Sequence, residues 1–215
     1  METQEIINNK TQNRVQPEEV KNRIIGAALN EFALYGVESA RIKRIAENAG
    51  ISKSNIFYYF KTKRNLYRAV IQEFLRRVSS QLELRLSRCG SFEQMLREIV
   101  YTHSTIISNS QSLIQILRRE LAKPQNEMIR DISETILNSE SRKVLKNMFE
   151  QEIRSGHYRD LDFNQTMISF YLMSLGYLSL APMANIIWHI ENMDEFLAER
   201  KFAIIDLFLN GVLNK

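Results

Sequence analysis

The chain has 215 residues, one cysteine (Cys89) and a formal net charge of +4. That length buries a core without staples, and a lone cysteine permits no internal disulfide, so a reduced, cytoplasmic setting is expected. Between Ser39 and Arg64, seven basic residues (Arg41, Lys43, Arg44, Lys53, Lys61, Lys63, Arg64) stand against one acid, Glu47. The positive excess is therefore concentrated in one segment, the footprint of a phosphate-binding module.

Residues 1–16 are polar and charge-mixed, with no apolar run of the kind a secretory signal needs, and are expected to form a flexible arm. Only seven glycines and three prolines interrupt the chain, and apolar residues recur three and four apart, which predicts an all-α protein. The first helix starts at Pro17, with Glu18 and Glu19 at the positive end of its dipole. It aligns Val20, Ile24, Ala27, Ala28 and Phe32 and stops at Gly36. A second helix is expected from a cap at Ser39 to Gly50, with Ile42, Ile45, Ala46 and Ala49 on one face. Ser52 caps a third, Lys53 to Phe60. Thr62 caps a fourth, which carries Leu66, Val70, Phe74, Val78 and Leu82.

Beyond Gly90, Ser91 and Gln94 are spaced as a capping box that opens a helix through Met95, Ile99 and Ile106. Further helices are expected at about 111–122, 125–154, 164–181 and 194–213, with Gly156 and Pro182 as stops and Asp194 as a cap. Residues 167–181 are apolar apart from small polar or glycine interruptions, yet fall short of the roughly 20 residues that span a bilayer. No membrane span is expected.

The segment Arg41 to Phe60 has the form of a helix-turn-helix. Ala46 is small where the next helix passes, Gly50 permits a left-handed turn, and Ile51 and Ile56 fill the space between the helices. Joined to the basic cluster, this favours a DNA-binding motif over an ordinary hairpin. The third helix is then the reader, with Lys53, Ser54 and Asn55 offering donors and acceptors to base edges and Phe57 an apolar contact to a thymine methyl. Tyr58, Tyr59 and Lys63 suit phosphate oxygens. Phe60 is expected to pack inward.

The stretch IAENAGISKSNIFYYFKTKRNLYRAVI, together with IIGAALNEFALYG before it, resembles the DNA-binding region of the tetracycline-repressor (TetR) family over about residues 18–78. The resemblance implies that Ser52 and Lys53 touch backbone or groove, that Ser54 and Phe57 lie nearest the bases, and that Tyr58, Tyr59 and Lys63 hold phosphates. Phe57 stands where the family usually has tyrosine, so a hydrogen bond is lost there. Arg41 stands where threonine is frequent and offers a charge-assisted phosphate contact instead.

The resemblance further implies a DNA-binding domain over residues 17–64 and a larger helical domain over 65–215 for dimerisation and ligand binding. Its function would be that of a regulator, a repressor released from a palindromic double-stranded operator by a small-molecule effector. Ile205, Phe208, Leu209 and Val212 form a stripe on the last helix that suits a homodimer interface. Candidate effector contacts, chosen as apolar walls with a few polar groups, are Tyr101, His103, Tyr171, Met173, Tyr177, Met183, Trp188 and His189. The alternative is a DNA-anchored regulator whose larger domain binds a protein partner. The three histidines have no companions at metal-ligand spacing, and no phosphate loop or nucleophile motif is present, so neither metal, cofactor nor catalysis is expected.

Overall fold

The computed structural model describes residues 16–123, 130, 133–134, 139–176 and 183–213. The described helices include α1 (Pro17–Ser39), α2 (Ile42–Ala49), α3 (Lys53–Phe60), α4 (Lys63–Leu86), α5 (Phe92–Asn109), α6 (Gln111–Leu121), α7 (Glu140–Arg154), α8 (Phe163–Leu175) and α9 (Met193–Val212). Among the described residues the one extended pairing is an isolated bridge between Tyr158 and Leu213, and the fold is all-α as expected. The chain divides between Glu73 and Phe74 into two compact units.

In the first unit, α1 opens with Pro17 in its first turn and buries Ile24, Ala28, Phe32 and Ala33. Gly36 takes φ 71°, which breaks the regular helix before the final turn to Ser39. Ile45, Ala46 and Ala49 of α2 and Ile56 of α3 complete the core with Leu66, Tyr67, Val70 and Ile71 from the first part of α4. Phe32 meets Tyr67 edge to face at 5.0 Å.

Ser39 does not cap α2. That helix starts one residue after Arg41, and no side chain at the cap position bonds back to it. The cap comes from a different helix: the Arg41 backbone N–H donates to Glu31 Oε1 at 2.7 Å. Arg44 closes on the same carboxylate, with Nη2 2.7 Å from Oε1 and Nε 3.0 Å from both oxygens. Its guanidinium also lies 4.0 Å from the centre of the Tyr35 ring. Glu31 is 4% exposed. Burial pushes its carboxyl pKa up, but the bonds from Arg44 and from the Arg41 amide outweigh that and leave it lowered. A buried carboxylate thus fills the anion-attracting N-terminus of α2 and ties it to α1.

The second unit is built round α5, which packs against α6, α7, α8 and α9. Its core includes Phe92, Met95, Leu96, Ile99, Phe149, Phe163 and Phe170, with Ile204, Ile205, Phe208 and Val212 from α9. Phe149 meets Phe92 at 5.2 Å, Phe163 at 5.7 Å and Tyr158 at 6.1 Å between ring centres. Ser91, Ser139, Asp162 and Asn192 each accept a backbone N–H from three residues on. Asn192 therefore takes the cap expected of Asp194, which lies in the first turn instead. Gln94 closes its box on the Gly90 N–H at 2.8 Å. The expected helices at 125–154 and 164–181 are described only over α7 and α8, and residues 177–182 lie outside the described residues.

His103 is buried in this unit, its Nδ1 3.0 Å from Ser174 Oγ on α8 and its ring 5.7 Å from that of Tyr171. Burial pushes its pKa down to about 4 from the ordinary 6.5. The folded protein keeps this imidazole neutral while the unfolded chain protonates it. Its contribution is therefore complete above pH 6.5 and is lost as pH falls towards 4.

Two outcomes are expected. Glu31→Ala strands the Arg41 amide and the Arg44 fork and destabilises the protein by about 1–3 kcal/mol, read as a lower urea midpoint; an unchanged midpoint contradicts the trans cap. Between pH 7 and 4, unfolding free energy falls more steeply in the native chain than in His103→Asn, by about 3 kcal/mol from the shift in its pKa. Parallel pH profiles would show that His103 is not held neutral.

Candidate nucleic-acid interface

The turn between α2 and α3 follows from Gly50, which sits at φ 64°, ψ 40°, where a Cβ is disfavoured. Its N–H bonds to Ala46 O and Glu47 O, the Ile51 N–H returns to Ala46 O at 3.0 Å, and Arg23 Nη2 donates to Gly50 O at 3.3 Å. The carbonyls that end α2 are thereby satisfied, and the chain is aimed into α3.

Ser52 caps α3, accepting the Asn55 N–H at 3.2 Å and pairing with Ser54 Oγ at 2.7 Å. Only Ile56 of α3 is fully buried, against the α2 face. Ser52, Lys53, Ser54, Asn55, Phe57 and Tyr58 are all exposed, while Tyr59 and Phe60 are half-buried. Phe57 is 43% and Tyr58 71% exposed. A short helix with one fully buried residue and most of the others exposed offers a surface to a partner more than it packs its own unit. Tyr59 stacks edge-on against Tyr58 at 5.2 Å, which holds both rings in place.

The basic segment is less uniform than its composition. Arg44 is neutralised by Glu31 at 2.7 Å, and Lys43 pairs with Glu47 at 3.7 Å. Lys63 Nζ donates to the carbonyl oxygens of Glu38 at 2.7 Å and Ala40 at 3.3 Å, which leaves one N–H. Arg41, exposed and adjacent to the Glu31 cap, and Lys53, at the start of α3, form no ion pair among the described residues. Glu31 escaped sequence reasoning. The one available signal was a carboxylate on the apolar face that carries Ile24, Ala28 and Phe32.

The other candidate residues separate. His103 and Tyr171 do meet, and Tyr171 and Met173 pack against the core of the second unit. Tyr101 is exposed, with Arg85 and Lys201 over its ring at 4.9 and 5.8 Å. Met183, Trp188 and His189 are exposed as well, and Tyr177 lies outside the described residues. These residues therefore do not converge on one enclosed site. The stripe assigned to a dimer interface needs correction: Ile205, Phe208 and Val212 are buried in their own unit and Leu209 packs beside them. A helical stripe records that a face is covered, not by which chain. The exposed apolar side chains of these helices are Ile168 and Leu172 on α8 and Phe202 and Leu207 on α9.

Against known proteins, residues 24–70 match the profile of bacterial regulatory proteins of the tetR family. The HTH-type transcriptional regulator RutR of Escherichia coli (strain K12) is 46% identical over 55 residues. That match spans only about a quarter of either chain, 26% of this one and 26% of RutR. Similarity in fold reaches much further. The fatty acid degradation regulator FadR from Bacillus halodurans superposes with a TM-score of 0.69 at 20% identity, over 89% of this chain and 95% of that one. FadR from Bacillus subtilis, solved in complex with stearoyl-CoA, gives 0.67 at 18% identity, over 88% and 97%. The chain thus carries a tetR-type match at residues 24–70, within the first of its two units, and shares the fold of these solved structures along most of its length.

Proposed function

We propose that the protein is a transcriptional repressor that binds a palindromic DNA operator as a homodimer and is released by a small molecule held in its second unit. The observation that carries the DNA reading is α3 itself, with Ile56 alone buried and Ser54, Asn55, Phe57 and Tyr58 turned outward. In this reading α3 enters the major groove. Lys53, Ser54 and Asn55 meet base edges, Phe57 meets a thymine methyl, and Ser52 meets the groove edge. Tyr58, Tyr59, Arg41 and the remaining N–H of Lys63 hold phosphates, which set position without reading sequence.

Dimerisation is supported by the exposed Ile168, Leu172, Phe202 and Leu207 on α8 and α9, which pack against each other in the second unit. A two-fold axis through such a face matches operator palindromy. A small molecule as the signal is supported by the fold shared with the FadR solved with stearoyl-CoA, which does not extend to that ligand's identity. A protein partner in its place is favoured by Met183, Ile186, Ile187 and Trp188, all at least half exposed.

Selection from random DNA, followed by gel shift at physiological salt, tests the reading. The expected result is a palindromic site bound at least 10³-fold more tightly than random DNA; no preference for any site rejects it. Ser54→Ala and Asn55→Ala are expected to change which bases are selected, each at a cost of about 1–3 kcal/mol for the native site. Selection of an identical site by both variants would remove these side chains from base reading. Leu172→Glu combined with Phe202→Glu is expected to sediment as a folded monomer and to lose operator affinity, whereas a persisting dimer places the interface elsewhere.

A further inference from the structure

Lys61 sits at the end of α3 in a backbone conformation that side chains avoid, with φ 63° and ψ −48°. The Phe60 carbonyl accepts the Thr62 N–H across it at 2.7 Å. Those angles and that bond between residues two apart define the rare, strained form of the γ-turn. A non-glycine residue at positive φ persists only when something offsets its strain, and such residues gather at functional sites. Here the backbone supplies part of the reason. The Lys61 N–H closes the last turn of α3 on Phe57 O at 3.0 Å, and Thr62 is left positioned to cap α4 through the Asn65 N–H at 3.0 Å. Glycine would serve those backbone needs at lower cost. The lysine side chain itself remains to be explained.

Its surroundings point to an anion outside the chain. Arg44, Lys43 and Lys63 in the same basic segment are engaged by Glu31, Glu47 and two carbonyls, respectively. Lys61 is exposed and joins no ion pair among the described residues. Its ammonium lies 5.5 Å from the centre of the Tyr58 ring, on the exposed side of α3. An exposed phenol and an ammonium are thus set near one another, the phenol about one turn and the ammonium about two turns beyond Ser54 and Asn55.

We infer that Lys61 is a DNA phosphate contact, acting with Tyr58 as one clamp that grips the backbone at the C-terminal end of the reader helix. The inference rests on the DNA-binding reading above and adds a contact that neither composition nor spacing distinguished. A lysine at the end of a helix also suits the negative end of its dipole, so the test must separate a phosphate contact from a cap.

The test titrates the full-length native chain, Lys61→Gln, Lys61→Gly and Lys61→Arg with a duplex of random sequence across a series of salt concentrations. Phosphate contacts do not depend on sequence, so no operator is needed. Both charge-removing variants are expected to bind roughly three- to tenfold more weakly at physiological salt. Their plots of log affinity against log salt should be shallower by about 0.9. Lys61→Arg is expected to keep the native slope. Lys61→Gly is also expected to melt about 2–4 °C higher as the turn relaxes, so stability rises while binding falls, a pairing that a mere cap does not produce. A native slope in Lys61→Gln and Lys61→Gly overturns the inference and leaves the DNA-binding reading standing. A native chain that binds no duplex defeats that reading and this inference with it.

Discussion

The placing of the exposed helix α3 depends on a carboxylate that is itself buried. Glu31, buried on α1, accepts the amide that opens α2 and both arms of the Arg44 guanidinium. A short helix such as α2 holds little stability of its own, so its place is set by what it is bonded to. Glu31 settles its N-terminus and the αL glycine at position 50 its C-terminus. Between those two points, Ile45, Ala46 and Ala49 are buried along with Ile56 of α3, and the two helices pack on each other.

The same carboxylate also determines which cations remain for a partner. Arg44 counts towards the local positive charge, yet its guanidinium is occupied inside the unit. Lys63 uses two of its three N–H groups on carbonyl oxygens. The positive potential of the whole segment survives, because net charge is felt across several ångströms. Short-range grip is a different property, since it requires donors that have not already been used. Lys53 and Lys61 at the two ends of α3, and the exposed Arg41 at the start of α2, meet that requirement.

In the second unit the corresponding constraint is α5, the helix that four others cover. Its apolar side chains and the aromatic group of Phe92, Phe149, Tyr158 and Phe163 account for most of the burial. A neutral imidazole, His103, is buried in the same unit, beside the Tyr171 ring and hydrogen-bonded to Ser174. A polar pair in so apolar a setting is costly unless satisfied, which makes it a point where the packing of α8 on α5 responds to pH. The α9 stripe shows how such a core misleads a reader of sequence. Ile205, Phe208 and Val212 have the spacing of an interface because they are one, although the surface they meet belongs to their own chain.

Much of the helical layout was legible without coordinates. The period of the apolar residues, the caps at Ser52, Thr62 and Ser91, and the turn glycine at 50 all act within a few residues of sequence, and each appears in the structure. The inward set of α3 follows from the same local periodicity, since Phe60 lies one turn from the buried Ile56 and is itself half-buried. Other features depend on partners distant along the chain. Glu31 and Arg44 are 13 residues apart, Lys63 and Glu38 25, and His103 and Ser174 71. Local pattern carries no information about such pairs. The sequence by itself determined that this is a helical chain with a basic helix-turn-helix near its start. Only the tertiary structure decided which charges are already spent, which apolar stripe is internal, and which lysine sits in a strained turn.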